Sequence, residues 1–323
     1  GEYEDSRHPK EVTFTSNLVE DLKRRDFTIN AMAYNEKDGL IDVFEGMEDI
    51  RRKMIRCVGS PMERFTEDAL RMMRAVRFSA QLGYAIEEET AKAISVLAAN
   101  LKKISAERIQ VELVKLVTSP NPDFLRIAYE TGITAVILPE FDACMKTEQN
   151  NPHHCYSVGE HTLKAMMSVK ADKVLRLSLL FHDMGKPQRL TIDEAGISHF
   201  YGHPVLSEEM AGKILHRLKF DNDTIYMVKK LVLYHDYETQ AMPVKVRRAI
   251  MKIGEDVFPL LFDVKRADIE AQSDYKREEK EQELALRFRY MYYDDFSRYS
   301  SMPLEHQNIV DAIRVGNADA AKE

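Results

Sequence analysis

Apolar residues recur at three- and four-residue spacing through most of this chain, which points it toward a helical fold. Glu63–Leu82 and Glu87–Leu101 each keep one apolar stripe, with Gly83 as the stop between them. Ser105–Thr118 opens on a capping serine and closes before Pro120, and Pro122–Leu138 holds further helix. Later stripes fall around His161–Val169, Lys173–Met184, Pro204–Leu218, Asp223–Tyr234 and Pro243–Ile253, and Glu278–Arg289 reads as a charged helix. Strand-like alternation is confined to the start, at Val12 and Phe14 within Glu11–Asn17. Leu18–Tyr34 reads as the first helix, capped by Asn17, and Asp38-Gly39 as a turn before the short apolar stretch Leu40–Phe44.

A length of 323 residues suggests two or three folding units, and Asn150-Asn151-Pro152 is the clearest polar break between them. Hydrophobic residues at 44% allow packed cores. The net charge of −7 does not by itself announce a nucleic-acid partner, so any RNA contact rests on local basic patches. Cys57, Cys144 and Cys155 are odd in number and far apart, which is the pattern of free thiols in a reducing cytoplasm. The longest apolar runs, such as Leu177–Phe181, fall well below the ~20 residues of a membrane span.

Two groups of residues carry chemistry. In the first, Lys23-Arg24-Arg25-Asp26-Phe27-Thr28-Ile29-Asn30-Ala31 puts cations, an acid and an amide close together, which a solvated helix face would also do. Glu67-Asp68-Ala69-Leu70-Arg71-Met72-Met73-Arg74-Ala75-Val76-Arg77 is expected to lie on one helix, with Asp68 and Arg71 a turn apart. A carboxylate only accepts hydrogen bonds and a guanidinium only donates them. Cytosine and adenine both show an amino donor beside a ring-nitrogen acceptor, whereas guanine and uracil reverse that order. Asp68 beside Arg71 would therefore accept C and A and leave polar groups unpaired against G and U. Arg74 and Arg77 could hold a triphosphate.

These segments resemble, in order, motifs of class II tRNA nucleotidyltransferases and bacterial poly(A) polymerases. Arg24–Ala31 is similar to the second motif, Asp42–Asp49 to the hinge, Arg64–Arg74 to the nucleobase-templating motif and Ser105–Ile109 to the fifth. The resemblance implies Asp68 and Arg71 as a protein template for CTP and ATP, and Asn30, Arg25, Asp26, Arg74 and Arg77 as nucleotide contacts. It also implies Mg2+, held by two carboxylates of a first motif expected upstream of Gly1–Pro9. The chain as it stands is then expected to bind nucleotides poorly and transfer none. CCA addition, A-only addition and poly(A) synthesis would all use the same pair. Asn100–Pro139 resembles the tRNA-binding body, with Lys102, Lys103, Arg108 and Lys115 as its basic residues, and Arg287, Arg289 and Tyr290–Tyr293 are further RNA candidates.

The second group is His161, His182-Asp183, Lys186, His203, His235-Asp236 and Asp268. A single histidine of this kind is usually a core residue. Two His-Asp dipeptides at the ends of apolar helices suit metal-assisted hydrolysis of phosphate esters. The series resembles the HD phosphohydrolases, which implies a first metal on His161, His182, Asp183 and Asp268, with manganese, nickel or iron as candidates. Lys186 would contact phosphate, His203 and His235 would serve a second metal or the phosphate, and Asp236 would support them. HD modules fused to class II CCA-adding enzymes are linked to hydrolysis of 2′,3′-cyclic phosphates and 2′-nucleotides and to phosphatase activity.

The expected architecture is mainly α: a remnant of an α/β nucleotidyltransferase head at 1–38, a helical neck and RNA-binding body at 39–150, an HD domain at 151–275 and a polar tail at 276–323. The leading expectation is a cytoplasmic CCA-adding enzyme with tRNA, CTP and ATP as partners and no membrane. The alternatives are a stand-alone HD phosphohydrolase acting on RNA ends or nucleotides, and a non-catalytic tRNA-binding protein.

Overall fold

The computed structural model describes residues 18–151 and 155–292, with the backbone of two short paired strands, Tyr3–Asp5 and His8–Pro9. The expected strand at 11–17, its Asn17 cap and the tail from 293 lie outside the described residues. The fold is mainly α. It divides into two compact units, Gly1–Asp142 and Ala143–Glu323.

In the first unit the expected helix Leu18–Tyr34 is cut short. It runs only from Leu18 to Lys23 and is followed by a 3-10 turn at Thr28–Asn30 and a hairpin, Ala33–Asn35 with Gly39–Ile41. Local propensity and a tertiary pairing act together. Phe27, Thr28 and Ile29 are aromatic and β-branched and favour extended backbone. The chain at Asp26–Thr28 pairs instead with Arg56–Val58: the Thr28 N–H donates to Arg56 O (2.9 Å) and the Val58 N–H to Asp26 O (3.1 Å). Asp42 caps the next helix, Gly46–Arg52, by accepting from the Gly46 and Met47 N–H groups at 2.7 and 2.8 Å. Only glycine fits at 46, since a Cβ there would meet the Thr28 carbonyl oxygen at 2.2 Å.

The periodic region then gives helices Pro61–Glu67, Leu70–Leu82, Glu88–Leu97 and Ala106–Val117. Gly83, with φ +67°, ends the second of these as expected. Met72, Val76, Ile94 and Leu113 are buried and form the core they share. The expected single helix over Glu63–Leu82 is broken at Asp68-Ala69, and Asp68 takes an extended conformation with φ −144° and ψ 102°.

The second unit is built on helices Val158–Met167, Lys173–Phe181, His203–Arg217, Asn222–Tyr234 and Phe258–Ala271. Asp172 caps the helix Lys173–Phe181 with two backbone N–H bonds, at 2.9 and 3.0 Å. That helix is buried almost throughout, which matches its run of leucines. Among the elements not expected are the helix Phe258–Ala271, the one-turn helix Lys186–Arg189 and a small hairpin, Thr191–Ile192 with Ser198–His199. The three cysteines are free, Cys57 and Cys144 buried and Cys155 exposed.

Candidate functional site

Two clusters of side chains collect the expected residues, one in each unit.

In the first unit, the break at Asp68 changes the expected geometry. Asp68 and Arg71 do not share a helix. Asp68 lies between two helices, where its Oδ1 accepts from the Leu70 N–H (3.0 Å) and its Oδ2 from Arg108 Nη2 (2.8 Å). Arg71 opens the following helix. Its Nη1 donates to Glu67 Oε2 (2.8 Å) and Arg64 O (3.1 Å), and its Nη2 to Arg24 O (3.4 Å). Those bonds use part of the five N–H donors of a guanidinium. Both side chains are half-buried and held from behind. Sequence reasoning treated Arg108 as an RNA candidate; the structure ties it to Asp68.

Asp26, Asn30 and Arg74 do come together. Arg74 Nε donates to Asp26 Oδ2 at 2.5 Å and Asn30 Nδ2 to Asp26 Oδ1 at 2.8 Å. Phe27 packs edge-on against Phe78, which brings this extended segment onto the helix Leu70–Leu82. Burial alone would raise the Asp26 carboxyl pKa, but the hydrogen bonds from Arg74 and Asn30 outweigh it and hold it below its ordinary value.

The other two expected contacts are engaged elsewhere. Arg25 pairs on the exposed surface with Asp21 at 3.5 Å. Arg77 is buried: its Nε donates to Glu112 Oε2 (2.9 Å) and its Nη1 to Gln81 Oε1 (2.9 Å). It ties the helix Leu70–Leu82 to Ala106–Val117, whereas the expectation set it at a triphosphate. Lys102, Lys103 and Lys115 are exposed. Arg287 bonds Glu283 at 2.7 Å and Arg289 is buried, so these two offer little to RNA.

In the second unit, six residues meet at one point. Asp183 follows the helix Lys173–Phe181, and its two oxygens face different pairs of imidazoles. Oδ2 lies 3.2 Å from His182 Nε2 and 3.7 Å from His161 Nε2. Oδ1 lies 3.3 Å from His203 Nε2 and 3.6 Å from His235 Nε2. Asp268 joins the first pair, with Oδ1 at 2.8 Å from His161 Nε2 and 3.6 Å from His182 Nε2.

The opposite nitrogen of every ring is anchored on a backbone carbonyl. Nδ1 of His161 lies 3.3 Å from Ala271 O, that of His182 2.6 Å from Leu179 O, that of His203 2.9 Å from Phe200 O and that of His235 2.7 Å from Val232 O. Each Nδ1–H therefore donates outward and each Nε2 is aimed inward, where it can bind an ion once it carries no proton. Gly185 makes the approach possible, since a Cβ there would meet His203 O and Ser207 N, both at 2.8 Å.

These donors fit divalent ions. Asp183 is buried, its oxygens face imidazoles on both sides, and the Lys186 ammonium neutralises only Oδ2, so Oδ1 among His203 and His235 is open to a cation. Two ligand groups result: His161, His182 and Asp183, and Asp183, His203 and His235. Mixed imidazole and carboxylate donors suit manganese, nickel and iron.

The cluster also draws in positive charge of its own. Burial would lower the His182 imidazole's pKa, but Asp183 and Asp268 outweigh burial and raise it to about 10. Burial opposes the ionisation of Asp183 as well, yet His182 and Lys186 hold its carboxyl well below the usual range. Lys186 Nζ lies 2.8 Å from Asp183 Oδ2 and donates to Gln149 Oε1 at 2.9 Å. Burial pushes His235 down.

A cavity of about 640 Å3 opens over this point. Asp183, Lys186, His203, His235, Asp236 and Asp268 line it, as expected residues. Asp236 is exposed and belongs to neither ligand group. Gln272 and Lys280, which sequence reasoning missed, line it too. So do His199 and Tyr201, on and just after the unexpected hairpin. Lys265 flanks a smaller adjoining cavity, where burial lowers its ammonium to about 8.

Comparison with known proteins divides along the same lines. A family model described as the poly A polymerase head domain matches residues 1–56. A second, described as the probable RNA and SrmB-binding site of polymerase A, matches residues 83–145. An HD domain model matches residues 153–273.

The CCA-adding enzyme of Levilactobacillus brevis is 56% identical over 120 residues, 37% of this chain and 30% of that protein. That of Enterococcus faecalis is 55% identical over 119 residues, 37% of this chain and 29% of that protein. The matches thus span under a third of the length of these curated relatives. Among solved structures, the Bacillus stearothermophilus CCA-adding enzyme in complex with CTP superposes with a TM-score of 0.60 at 26% identity, covering 95% of this chain and 71% of that one. The Thermotoga maritima CCA-adding enzyme complexed with tRNA shares the fold, with a TM-score of 0.52 at 19% identity over 93% of this chain and 70% of that one.

Proposed function

We propose that this chain, whose segments match the poly A polymerase head, the polymerase A RNA-binding and the HD models, belongs with the CCA-adding enzymes and poly(A) polymerases, and that its first unit selects CTP and ATP for addition to the 3′ end of tRNA. The observation that carries this is the placement of Asp68 and Arg71. They are half-buried neighbours across a helix break, one braced by Arg108 and the other by Glu67 and two backbone carbonyls. A carboxylate has lone pairs to spare beyond the Leu70 and Arg108 bonds, and it can still accept an amino group. The remaining Arg71 donors can meet a ring nitrogen. Bracing of this kind keeps the pair from reorienting to suit G or U, so a wrong base leaves buried polar atoms unpaired. Arg74 and Asn30, gathered on Asp26, stand ready for the sugar or phosphates, and Mg2+ would serve the transfer step. Lys102, Lys103 and Lys115 offer exposed cations to the tRNA backbone.

Binding, rather than turnover, reads the template directly. CTP and ATP should bind at least about tenfold more tightly than UTP and GTP, the discrimination expected when one polar contact is left unpaired. Asp68→Ala should erase that preference while tRNA lacking its CCA still shifts on a native gel. Equal affinity of the unmodified chain for all four nucleotides would overturn the reading.

A second activity belongs to the second unit: hydrolysis of phosphate esters. The observation favouring it is Asp183, whose two buried oxygens face two imidazole pairs. His161, His182, Asp183 and Asp268 would hold one divalent ion, and Asp183, His203 and His235 a second. Such ions supply activated water and neutralise phosphate charge. Lys186, already beside Asp183 and steadied by Gln149, donates to a phosphate oxygen. Phosphate release should vanish in His182→Ala and persist in Asp68→Ala; loss in both would tie it to the first unit instead. In this reading residues 1–38 belong to the head, 39–150 to the neck and body, 151–275 to the HD domain and 276–323 to a tail whose Lys280 reaches the HD cavity.

A further inference from the structure

The hairpin at the cavity wall carries a pair of rings that the fold does not require. His199 and Tyr201 stack with centroids 5.3 Å apart and planes within 6° of parallel. Tyr201 is 76% exposed, so it contributes little to any core. Yet the pair is held in place. His199 Nε2 donates to Asp193 Oδ2 at 2.8 Å, which leaves Nδ1 to accept the Tyr201 hydroxyl at 3.3 Å. Asp193 is itself fixed by the Ala195 and Ile197 N–H groups, both at 2.9 Å from its Oδ1. An exposed aromatic surface whose ordering cost is already met favours a flat ligand.

Its position narrows the ligand further. His199 and Tyr201 line the same cavity as Asp183, Lys186 and His203. Tyr201 precedes His203 by two residues, so their Cα atoms lie no more than about 7 Å apart. Between them Gly202, at φ +74°, turns the chain so that Tyr201 faces solvent and His203 is buried. A phosphate drawn to Lys186 therefore lies in the same cavity as the stacked rings.

We propose that His199 and Tyr201 form a nucleobase platform at the wall of the HD cavity, on which the base of a bound nucleotide stacks. This rests on the phosphohydrolase reading above. Stacking accepts any base, because every base offers a π-face, so the site should be tolerant of base identity.

The test compares guanosine monophosphate with ribose 5-phosphate, which lacks the base. Guanosine also avoids the Asp68–Arg71 pair, which is expected to reject it. Calorimetric binding and phosphate release are both measured. Wild type should bind the nucleotide at least about tenfold more tightly than ribose 5-phosphate, the range of one base stack. Tyr201→Ala should remove that advantage without changing ribose 5-phosphate binding, and Tyr201→Phe should keep most of it. Equal binding of the two compounds, binding of neither, or a Tyr201→Ala loss common to both would overturn the platform. Base-dependent binding without phosphate release would leave the platform standing and refute the hydrolase reading. Release without base preference would do the reverse.

Discussion

Arg77 offers a sharp test, because its two possible roles predict different measurements. Its guanidinium and the Glu112 carboxylate are 2.9 Å apart, with side chains only 8% and 4% exposed. Arg77→Met would leave Glu112 buried, with only Lys115, 4.0 Å away and half exposed, to offset its charge. Removing one partner of a buried pair costs about 3–5 kcal/mol, and the low exposure here gives no reason to discount it. Replacing both partners with apolar residues of similar volume is often close to neutral.

The assay is amide hydrogen exchange of the helices Leu70–Leu82 and Ala106–Val117, which reads the stability of this unit without assuming that both units unfold together. Arg77→Met should speed their exchange by about 10²–10⁴-fold, since each 1.4 kcal/mol is about a factor of ten. The double variant with Glu112→Leu should recover most of that loss. Nucleotide affinity should change only as far as stability does. A less than tenfold effect of Arg77→Met on exchange, together with a clear loss of CTP affinity, would refute the structural role and return Arg77 to the phosphates.

Other outcomes follow from the same geometry. His203→Ala should lower bound manganese from two ions per chain to one, whereas Asp183→Asn should lower both, as read by elemental analysis after dialysis. Gly185→Ala places a Cβ 2.8 Å from two backbone atoms, so the ion held through His203 should bind about tenfold or more weakly while the His161–His182 ion stays. Asp26 has a folded pKa below its ordinary 3.8, so its contribution is present above that pH and is lost as pH falls through the lower folded value. Asp26→Asn should therefore reduce stability near pH 7 and flatten the loss on acidification, as followed by circular dichroism; an unchanged acid limb would contradict this.

Several of the proposed metal ligands were legible because they sit beside helix ends that hydrophobic spacing makes visible: His182-Asp183 after a run of leucines and His235 after Asn222–Tyr234. Asp268 was recognised by resemblance, but its helix was not. Phe258, Leu261, Phe262 and Val264 carried a usable stripe, with Pro259 as a start signal. The break at Asp68 was missed although its signal was present, since an aspartate just ahead of an apolar run is a common way to begin a helix. Its Oδ1 accepts from Leu70 N–H. The turn at Phe27–Asn30 was missed because tertiary pairing with Arg56–Val58 overrode a helical pattern. Gln272, Lys280 and Tyr201 had no motif to mark them. They converge on the cavity from separate segments, and only the folded chain brings them there.

The cysteines have a practical consequence. Burial pushes the Cys57 thiol up to about 12, against the pull of Arg71 and Arg64, so it stays protonated and unreactive at neutral pH. Cys144 is 1% exposed, and Cys155 alone is open to solvent. A maleimide dye should therefore attach at one place in the native protein without any engineering. A fluorophore there would mark the second unit, which holds the HD centre, and leave the first unit unlabelled.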